Sequence, residues 1–124
     1  QPKPITSNER AFRVLVRNAM FRRVQLASLR RWIDLGELDA DFGQDAWEDG
    51  IQAYFDEHDS IGTGPDARGP QMLQIARERR RWLVRQVIDD PEGDHDWGIT
   101  ALVDLEASDE AGEAVLTVTA FESL

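Results

Sequence analysis

The chain has 124 residues, of which 41% are hydrophobic and 31% are charged, and its formal net charge is -10. This balance predicts one folded domain over residues 1–124 and excludes a disordered chain. The sequence has no cysteine and no long apolar run, which excludes disulfides, thiolate metal sites and a membrane span. We therefore expect a cytoplasmic protein that has no membrane partner. Because the chain begins with Gln1, we also expect it to be a piece of a longer protein.

The charges fall into four blocks along the chain. The net charge is +7 over residues 1–33, -10 over 34–76, +4 over 77–86 and -11 over 87–124. Segregated charges of this kind usually pair inside the fold, and the arginines would then be structural. If they stay exposed, they form a basic strip of the kind that binds nucleic acid.

The first predicted element is a long helix. Thr6 and Glu9 have the spacing of a capping box, and no Pro or Gly interrupts residues 8–35. The pattern predicts a helix of about seven turns that ends near Gly36. At helical spacing one broad apolar face comprises Phe12, Leu15, Val16, Ala19, Leu26, Ala27 and Ile33.

A second apolar line on this helix comprises Val14, Phe21 and Trp32. It indicates a helix that lies between two layers of its own domain or offers one face to a partner, and the first arrangement is the more common. Arg23 and Arg30 point toward the main apolar face, where a buried cation needs a carboxylate or carbonyl partner. We expect both to pair with the acidic blocks.

A shorter second helix follows. Asp45 and Glu48 have the spacing of an N-cap and its partner, and helical spacing continues for about three to four turns. The apolar positions of this helix are Trp47, Ile51, Tyr54 and Phe55, followed by His58. Residues 60–70 are a glycine- and proline-rich predicted loop, which lacks the Gly-Lys-Ser/Thr of a phosphate-binding loop.

After this loop the hydrophobic period changes to two. Four strands are predicted at residues 72–76, 82–88, 97–105 and 114–121, with turns at 77–80, 89–96 and 107–112. Two helices and a four-stranded antiparallel meander give an α+β fold. We expect the long helix to lie on the concave face of a curved sheet, in a roll similar to the nuclear-transport-factor-2-like or cystatin-like folds.

The two histidines stand among acidic residues. His58 lies in the stretch 56–59, and His95 lies in the stretch 89–96. If the fold joins the two stretches, they could bind a divalent metal or act as a general acid and base. No metal-binding motif requires this arrangement, so we favour solvated acidic segments and predict neither a metal nor a cofactor. No serine lies in a nucleophile elbow, and we predict no catalytic residue.

Two groups of arginines are candidates for contact with nucleic acid or a partner. Arg10, Arg13 and Arg17 follow one side of the first helix, where they could face phosphates. Arg79, Arg80 and Arg81 crowd the tip of the first hairpin beside Trp82, a composition typical of single-strand binding. The alternative is that these arginines pair with the 24 acidic residues of the chain itself.

Five segments, at residues 10–24, 54–59, 62–70, 89–97 and 107–112, together resemble the C-terminal domain of unknown function in a group of actinobacterial DEAD/DEAH-box helicases. The resemblance spans about residues 4–121. It implies that the chain is the C-terminal part of an ATP-dependent helicase. The chain itself has no Gly-Lys-Ser/Thr loop and no Asp-Glu-Ala-Asp/His box, so it should neither bind ATP nor unwind nucleic acid alone.

These observations leave three functional hypotheses. The first is a non-catalytic accessory domain that docks on the helicase core of the same polypeptide, or that helps to position RNA, DNA or a partner protein. The second is a ligand-binding or enzymatic roll with a pocket between helix and sheet. The predicted pocket residues are Trp47, Tyr54, Phe55, Trp82 and Trp97, with His58 or His95 at the mouth. A third, plainer role is stabilisation of the helicase C-terminus.

Overall fold

Four α-helices and four β-strands form the structure over residues 3–124, which are the residues that the computed structural model describes. The helices are α1 (Glu9–Ser28), α2 (Trp32–Leu38), α3 (Gln44–Glu57) and α4 (Leu105–Ala111). The strands are β1 (Leu73–Arg77), β2 (Arg81–Val87), β3 (Trp97–Asp104) and β4 (Leu116–Ser123). Single 3-10 turns lie at Ile5–Ser7, Asp66–Arg68 and Pro70–Met72.

The four strands form one antiparallel sheet in the order β1-β2-β3-β4. This result confirms the predicted α+β class and the predicted meander. Trp82 pairs with Val103 across β2 and β3, and Ile99 pairs with Phe121 across β3 and β4. The register of the last pair of strands shifts between Thr100 and Ala101. The observed strand ends differ from the predicted ends by one or two residues.

Helix α1 packs against the sheet through a stripe of buried side chains at helical spacing. Phe12 forms an edge-to-face aromatic pair with Trp82 of the sheet, and their ring centroids are 5.0 Å apart. The buried apolar residues of α1 are Phe12, Val16, Met20, Phe21, Val24 and Ala27. The predicted face was therefore wrong at its margins, since Leu15 is 38% exposed and Ile33 is 57% exposed.

The predicted second apolar line on the first helix does not form a continuous surface. Phe21 is 2% exposed and lies under the guanidinium of Arg68, whereas Val14 is 40% exposed. Trp32 is half-buried and belongs to the next helix. No single partner face joins these three residues.

The predicted single helix over residues 8–35 is interrupted at Arg30. Arg30 has a φ of 56°, which is the left-handed conformation that ends many helices. The amides of Arg30 and Arg31 donate to the carbonyls of Ala27 and Leu26, both at 3.0 Å, in the pattern of a Schellman motif. Glycine is the usual residue at this position, so the arginine in the sequence did not indicate that the helix ends there.

Gly36, which was predicted to end the first helix, instead allows close packing of α2 on α3. Gly36 lies inside α2 and faces the start of α3. A Cβ atom at Gly36 would be 2.7 Å from the Cβ and 2.8 Å from the Cα of Gln44. The glycine therefore permits two helices to approach and does not cap one.

Two predicted helix caps and one predicted turn were also wrong. Asn8, and not Thr6, caps α1, because its Oδ1 accepts from the amide of Ala11 at 3.1 Å. Helix α3 follows Gly43, which has a φ of 92°, and Asp45 lies in its first turn without capping it. The predicted turn at 107–112 is helix α4, which Asp104 caps.

Candidate functional site

A buried polar cluster lies where α3 ends and the connection from β2 to β3 folds back against it. His58 is the C-cap residue of α3, and its amide donates to the carbonyl of Tyr54 at 2.9 Å. The connection is held by the buried carboxylate of Asp90, which accepts from the amides of Asp94 at 2.9 Å and His95 at 2.7 Å. The carboxylate thus shapes the turn that carries the acidic residues toward His58.

Three carboxylates surround the His58 ring, whose side chain is 4% exposed. Nδ1 lies 2.5 Å from Oε1 of Glu92 and 3.8 Å from Oδ2 of Asp90. Nε2 lies 3.4 Å from Oδ1 of Asp96. The hydrogen bond to Glu92 raises the pKa of His58 against the opposing effect of burial, and the Asp90 charge and Asp96 also raise it.

The same surroundings affect the neighbouring titratable groups. Burial acts to raise the pKa of Asp90, but backbone hydrogen bonds and the nearby His58 outweigh burial, and the pKa is lowered. The pKa of Tyr54 is raised by burial first and by the surrounding carboxylates second. The Tyr54 hydroxyl donates to the carbonyl of Ser60 at 2.5 Å.

Glu57 adds a fourth carboxylate on the solvent side of the cluster. The indole Nε1 of Trp97 donates to Oε2 of Glu57 at 2.8 Å, which ties the end of α3 to the start of β3. Two atoms of the cluster are buried and have no hydrogen-bond partner, namely Nε2 of His58 and Oδ1 of Asp96. These two atoms face each other.

The fold therefore joins the two acidic stretches, but it does so around one histidine. His95 is exposed, has a φ of 53°, and lies 3.5 Å from Asp89 through its Nε2. It does not belong to the group around His58. Sequence reasoning did not single out Asp90, Glu92 or Asp96 as partners of His58, and the acidic turn at 89–96 was the signal that pointed to them.

The aromatic residues of the predicted pocket pack mainly against one another. The Tyr54 ring centroid is 5.5 Å from that of Trp97, 5.1 Å from that of Phe55 and 6.2 Å from that of Phe121. Trp47 also contacts Phe121, at 5.8 Å between centroids. These rings themselves occupy the space between α3 and the sheet.

Trp82 lies apart from this aromatic group. It pairs with Val103, which is six residues along β3 from Trp97, so the two tryptophans are about 20 Å apart along the sheet. The structure does not gather the seven predicted pocket residues around one space.

Of the first predicted arginine group, Arg10 lies near the second group, at the other end of the sheet. Glu9, the first residue of α1, pairs with Arg77, the last residue of β1, at 3.0 Å between Oε1 and Nε. Arg10 therefore lies beside the β1–β2 hairpin. We call the exposed side chains at this place the arginine end, and it comprises Arg10, Arg77, Arg79, Arg80 and Arg81.

The arginines differ in how far they are already engaged. Arg13 is half-buried and donates to the carbonyls of Pro70 at 3.2 Å and Leu73 at 3.3 Å, while Arg17 is half-buried. Arg81 pairs with Glu78 at 2.8 Å. Within residues 3–124, no ion pair includes Arg10, Arg79 or Arg80.

The fold and site define a small α+β domain with a buried histidine–carboxylate cluster at one end and exposed arginines at the other. The profile of a family described as a domain of unknown function (DUF3516) matches residues 1–121. The chain belongs to this family. No curated protein and no solved structure matches the chain. Among the described residues, no helix is both long and apolar enough to cross a membrane.

Proposed function

We propose that this chain is a non-catalytic accessory domain of a DEAD/DEAH-box helicase and that it helps to hold nucleic acid at the arginine end. The observation that supports the proposal is the Glu9–Arg77 ion pair, because it holds the start of α1, with Arg10, beside the hairpin of Arg79 and Arg80. Phosphate contacts from clustered exposed arginines give binding that depends little on base sequence.

The helicase context rests on the resemblance of five segments, at 10–24, 54–59, 62–70, 89–97 and 107–112. The family membership agrees with that resemblance at the level of a domain of unknown function. The absence of nucleotide-binding motifs from the sequence supports a role that is not catalytic. The helicase core of the same polypeptide is the second partner that this context suggests.

The charge distribution favours nucleic-acid contact at the arginine end alone over contact with the whole surface. The chain as a whole carries a net charge of -10, which repels nucleic acid. Arg79 and Arg80 are exposed at the hairpin tip, and Arg10 is exposed on the neighbouring turn of α1. Only a contact restricted to this end places phosphates near these cations and away from the acidic blocks.

The ligand-binding alternative has less support. Tyr54, Trp97 and Phe121 contact one another, and Trp82 packs on Phe12 at the far end of the sheet. The aromatic side chains therefore serve as core. The remaining support for a ligand-binding function is the polar cluster around His58.

The test is the binding of the chain to labelled single-stranded and duplex RNA and DNA over a range of salt concentrations. We expect affinity that falls steeply with salt. Replacing both Arg79 and Arg80 with Glu should weaken binding and reduce the slope of log K against log salt by about 1.8 for duplex and about 1.4 for single strands, if each arginine contacts one phosphate.

A matched control changes the same charge elsewhere. Arg22 and Arg31 are exposed, and Arg22 lies about 18 Å along α1 from Arg10. The double variant with Glu at Arg22 and Arg31 should keep most of the affinity. Equal losses in the two double variants, or no binding by the wild-type chain at low salt, would show that the arginine end does not bind nucleic acid. The same variants then test docking on the helicase core.

A further inference from the structure

The end of α3 and the start of β3 bring one histidine and two carboxylates together around unpaired buried atoms. We propose that His58, Glu57 and Asp96 bind one divalent transition-metal ion of the Zn2+ type. Glu57 and His58 end α3, and Asp96 directly precedes β3. One candidate ligand atom from each residue lies within 4.8 Å of the others. This site is separate from the arginine end and does not depend on the function proposed there.

The unpaired atoms are the first reason for the assignment. Nε2 of His58 and Oδ1 of Asp96 are both buried and form no hydrogen bond within the described residues. The His58 side chain is 4% exposed, so Nε2 is not free to turn to solvent. A buried polar atom without a partner costs free energy, and an ion between the two atoms satisfies both.

The distance between these atoms is the second reason. Nε2 of His58 lies 3.4 Å from Oδ1 of Asp96. Two ligand atoms at about 2.1 Å from a tetrahedral ion are about 3.4 Å apart, whereas adjacent ligands of an octahedral ion at about 2.1 Å are only about 3.0 Å apart. The pair therefore has the spacing of a tetrahedral centre before any ion is bound.

The third reason concerns Nδ1 of His58, because metal-binding histidines usually donate a hydrogen bond from the ring nitrogen that does not bind the ion. Nδ1 of His58 lies 2.5 Å from Oε1 of Glu92, which is a hydrogen bond and is too short for two ligands of one ion. A proton held on Nδ1 by a carboxylate leaves the lone pair on Nε2 for the metal and fixes the ring. Glu92 is thus a positioning residue.

Hydrogen bonds to neighbouring residues position the other two acids of the cluster, Asp90 and Glu57. Asp90 accepts the amides of Asp94 and His95, so it supports the loop and does not face Nε2. Glu57 is exposed, and the Trp97 indole holds one of its oxygens, so a small movement of its carboxylate completes the ligand set. The half-exposed Asp96 and the exposed Glu57 leave the fourth position to water and provide an entry path.

The ligand chemistry selects the class of ion. One imidazole nitrogen with two carboxylates fits Zn2+ and related transition ions, whereas Mg2+ and Ca2+ favour sites made of oxygen alone. The two carboxylates of Glu57 and Asp96 also balance the charge of a divalent ion. Neutral His58 adds no charge in this state.

The experiment is a titration of the chelator-treated full chain with Zn2+, followed by calorimetry and by competition with a coloured chelator. We expect one Zn2+ per chain and a melting temperature that rises with Zn2+ concentration. Asp96→Asn should lower the affinity at least tenfold. Asp94→Asn is the control, because this exposed carboxylate lies on the same loop outside the ligand set, and it should leave the affinity unchanged.

Two further measurements distinguish the proposed site from loose binding to surface acids. Co2+ in place of Zn2+ should give the intense visible bands of a four-coordinate centre in the wild-type chain, and His58→Gln should abolish them. Glu92→Gln should weaken Zn2+ binding about 10- to 100-fold, as expected for loss of the carboxylate that orients a ligand. Circular dichroism checks that each variant is folded, and Asp96→Asn provides the test if His58→Gln does not fold.

Absence of saturable binding with one ion per chain would overturn the proposal. So would equal affinities of the wild-type chain and Asp96→Asn, or equal losses in Asp96→Asn and Asp94→Asn. Six-coordinate Co2+ bands that His58→Gln does not change would overturn it as well, because they would assign the ion to exposed carboxylates.

Discussion

The guanidinium of Arg23 holds the carboxylate of Asp39 through two parallel hydrogen bonds in the interior. Nε of Arg23 lies 2.9 Å from Oδ2 and Nη2 lies 2.6 Å from Oδ1 of Asp39, and the residues are 6% and 7% exposed. Nη1 also donates to the carbonyl of Ala19 at 2.8 Å. The pair connects the middle of α1 to the residue that follows α2. It confirms the expected acidic partner for Arg23, whereas Arg30 is exposed and stacks on Phe55 instead.

Breaking this buried pair should be strongly destabilising. Asp39→Ala leaves the guanidinium of Arg23 buried without its counter-ion, and we expect a loss of about 3–5 kcal/mol in the free energy of unfolding. Urea denaturation measures it. The control is Asp34→Ala, which breaks the exposed pair with Arg31 and should cost under about 1 kcal/mol. Equal losses in both variants would contradict the structural role assigned to Arg23.

Adding one methyl group at Gly36 should separate two helices. Gly36→Ala gains about 1 kcal/mol in helix propensity, but the new Cβ would lie 2.7 Å from the Cβ of Gln44. We expect a net loss of about 1–3 kcal/mol, because the backbone of Gln44 cannot move aside as a flexible side chain would. Thermal denaturation provides the measurement.

The control for Gly36 is another glycine with free space around it. A Cβ at Gly64 would meet no atom within 4 Å. Gly64→Ala should therefore be neutral or stabilise the chain by about 0.4–1 kcal/mol, since it restricts the unfolded state. A stabilised Gly36→Ala variant would contradict the close approach of α2 to α3.

Tyr54, the one tyrosine of the chain, should not titrate in the folded state near the usual pH of about 10. Burial raises its pKa, and the unfolded chain then loses the phenolic proton first. Stability should accordingly fall as pH rises above about 10, because the folded state binds more protons than the unfolded state there.

The absorbance of phenolate in the near ultraviolet measures this directly. In the native chain the signal should appear only together with alkaline unfolding, as followed by circular dichroism. In the urea-unfolded chain it should appear near pH 10. A reversible phenolate signal near pH 10 in the folded chain would show that the Tyr54 hydroxyl is accessible, contrary to its hydrogen bond with Ser60.

The segment before α1 should be released when its anchor on α4 is removed. Thr6 donates its amide to Oδ1 of Asp109 at 3.0 Å and its hydroxyl to Oδ2 at 2.9 Å. Asp109→Ala should cost about 1–2 kcal/mol and speed amide hydrogen exchange at Thr6. Glu110→Ala removes the exposed neighbouring acid and should change neither quantity. Protection of Thr6 that survives in Asp109→Ala would refute the anchor.

The regular elements follow from patterns that act over a few residues. The alternation from Trp97 to Val103 predicts a half-buried strand, and those alternate residues are buried in β3. The spacing of Trp47, Ile51 and Tyr54 likewise predicts the buried face of α3. In these elements the period of the apolar residues matches the geometry of the backbone, so neighbours in sequence are sufficient to define them.

The missed elements have weak or misleading local signals. Helix α4 has seven residues, of which three are acidic and one is serine, a composition that is also typical of turns. Its stability comes from outside contacts, such as the Thr6 anchor on Asp109 and the bond from the Val115 amide to Ser108 Oγ at 2.9 Å. The break at Arg30 lacked a local signal as well, because glycine is the usual residue in the left-handed conformation that Arg30 adopts.

The sequence by itself determined the α+β class, the order of the strands along the chain and the presence of two acidic stretches, one around each histidine. Only the tertiary structure decided that His58 meets Glu92 and Asp96 while His95 turns away, and that Glu9 brings Arg10 beside the hairpin at Arg77. The physical reason is the separation along the chain of the residues that interact. Periodicity reports which side of an element is buried, whereas contacts between residues more than 30 positions apart depend on how loops close and how whole elements pack.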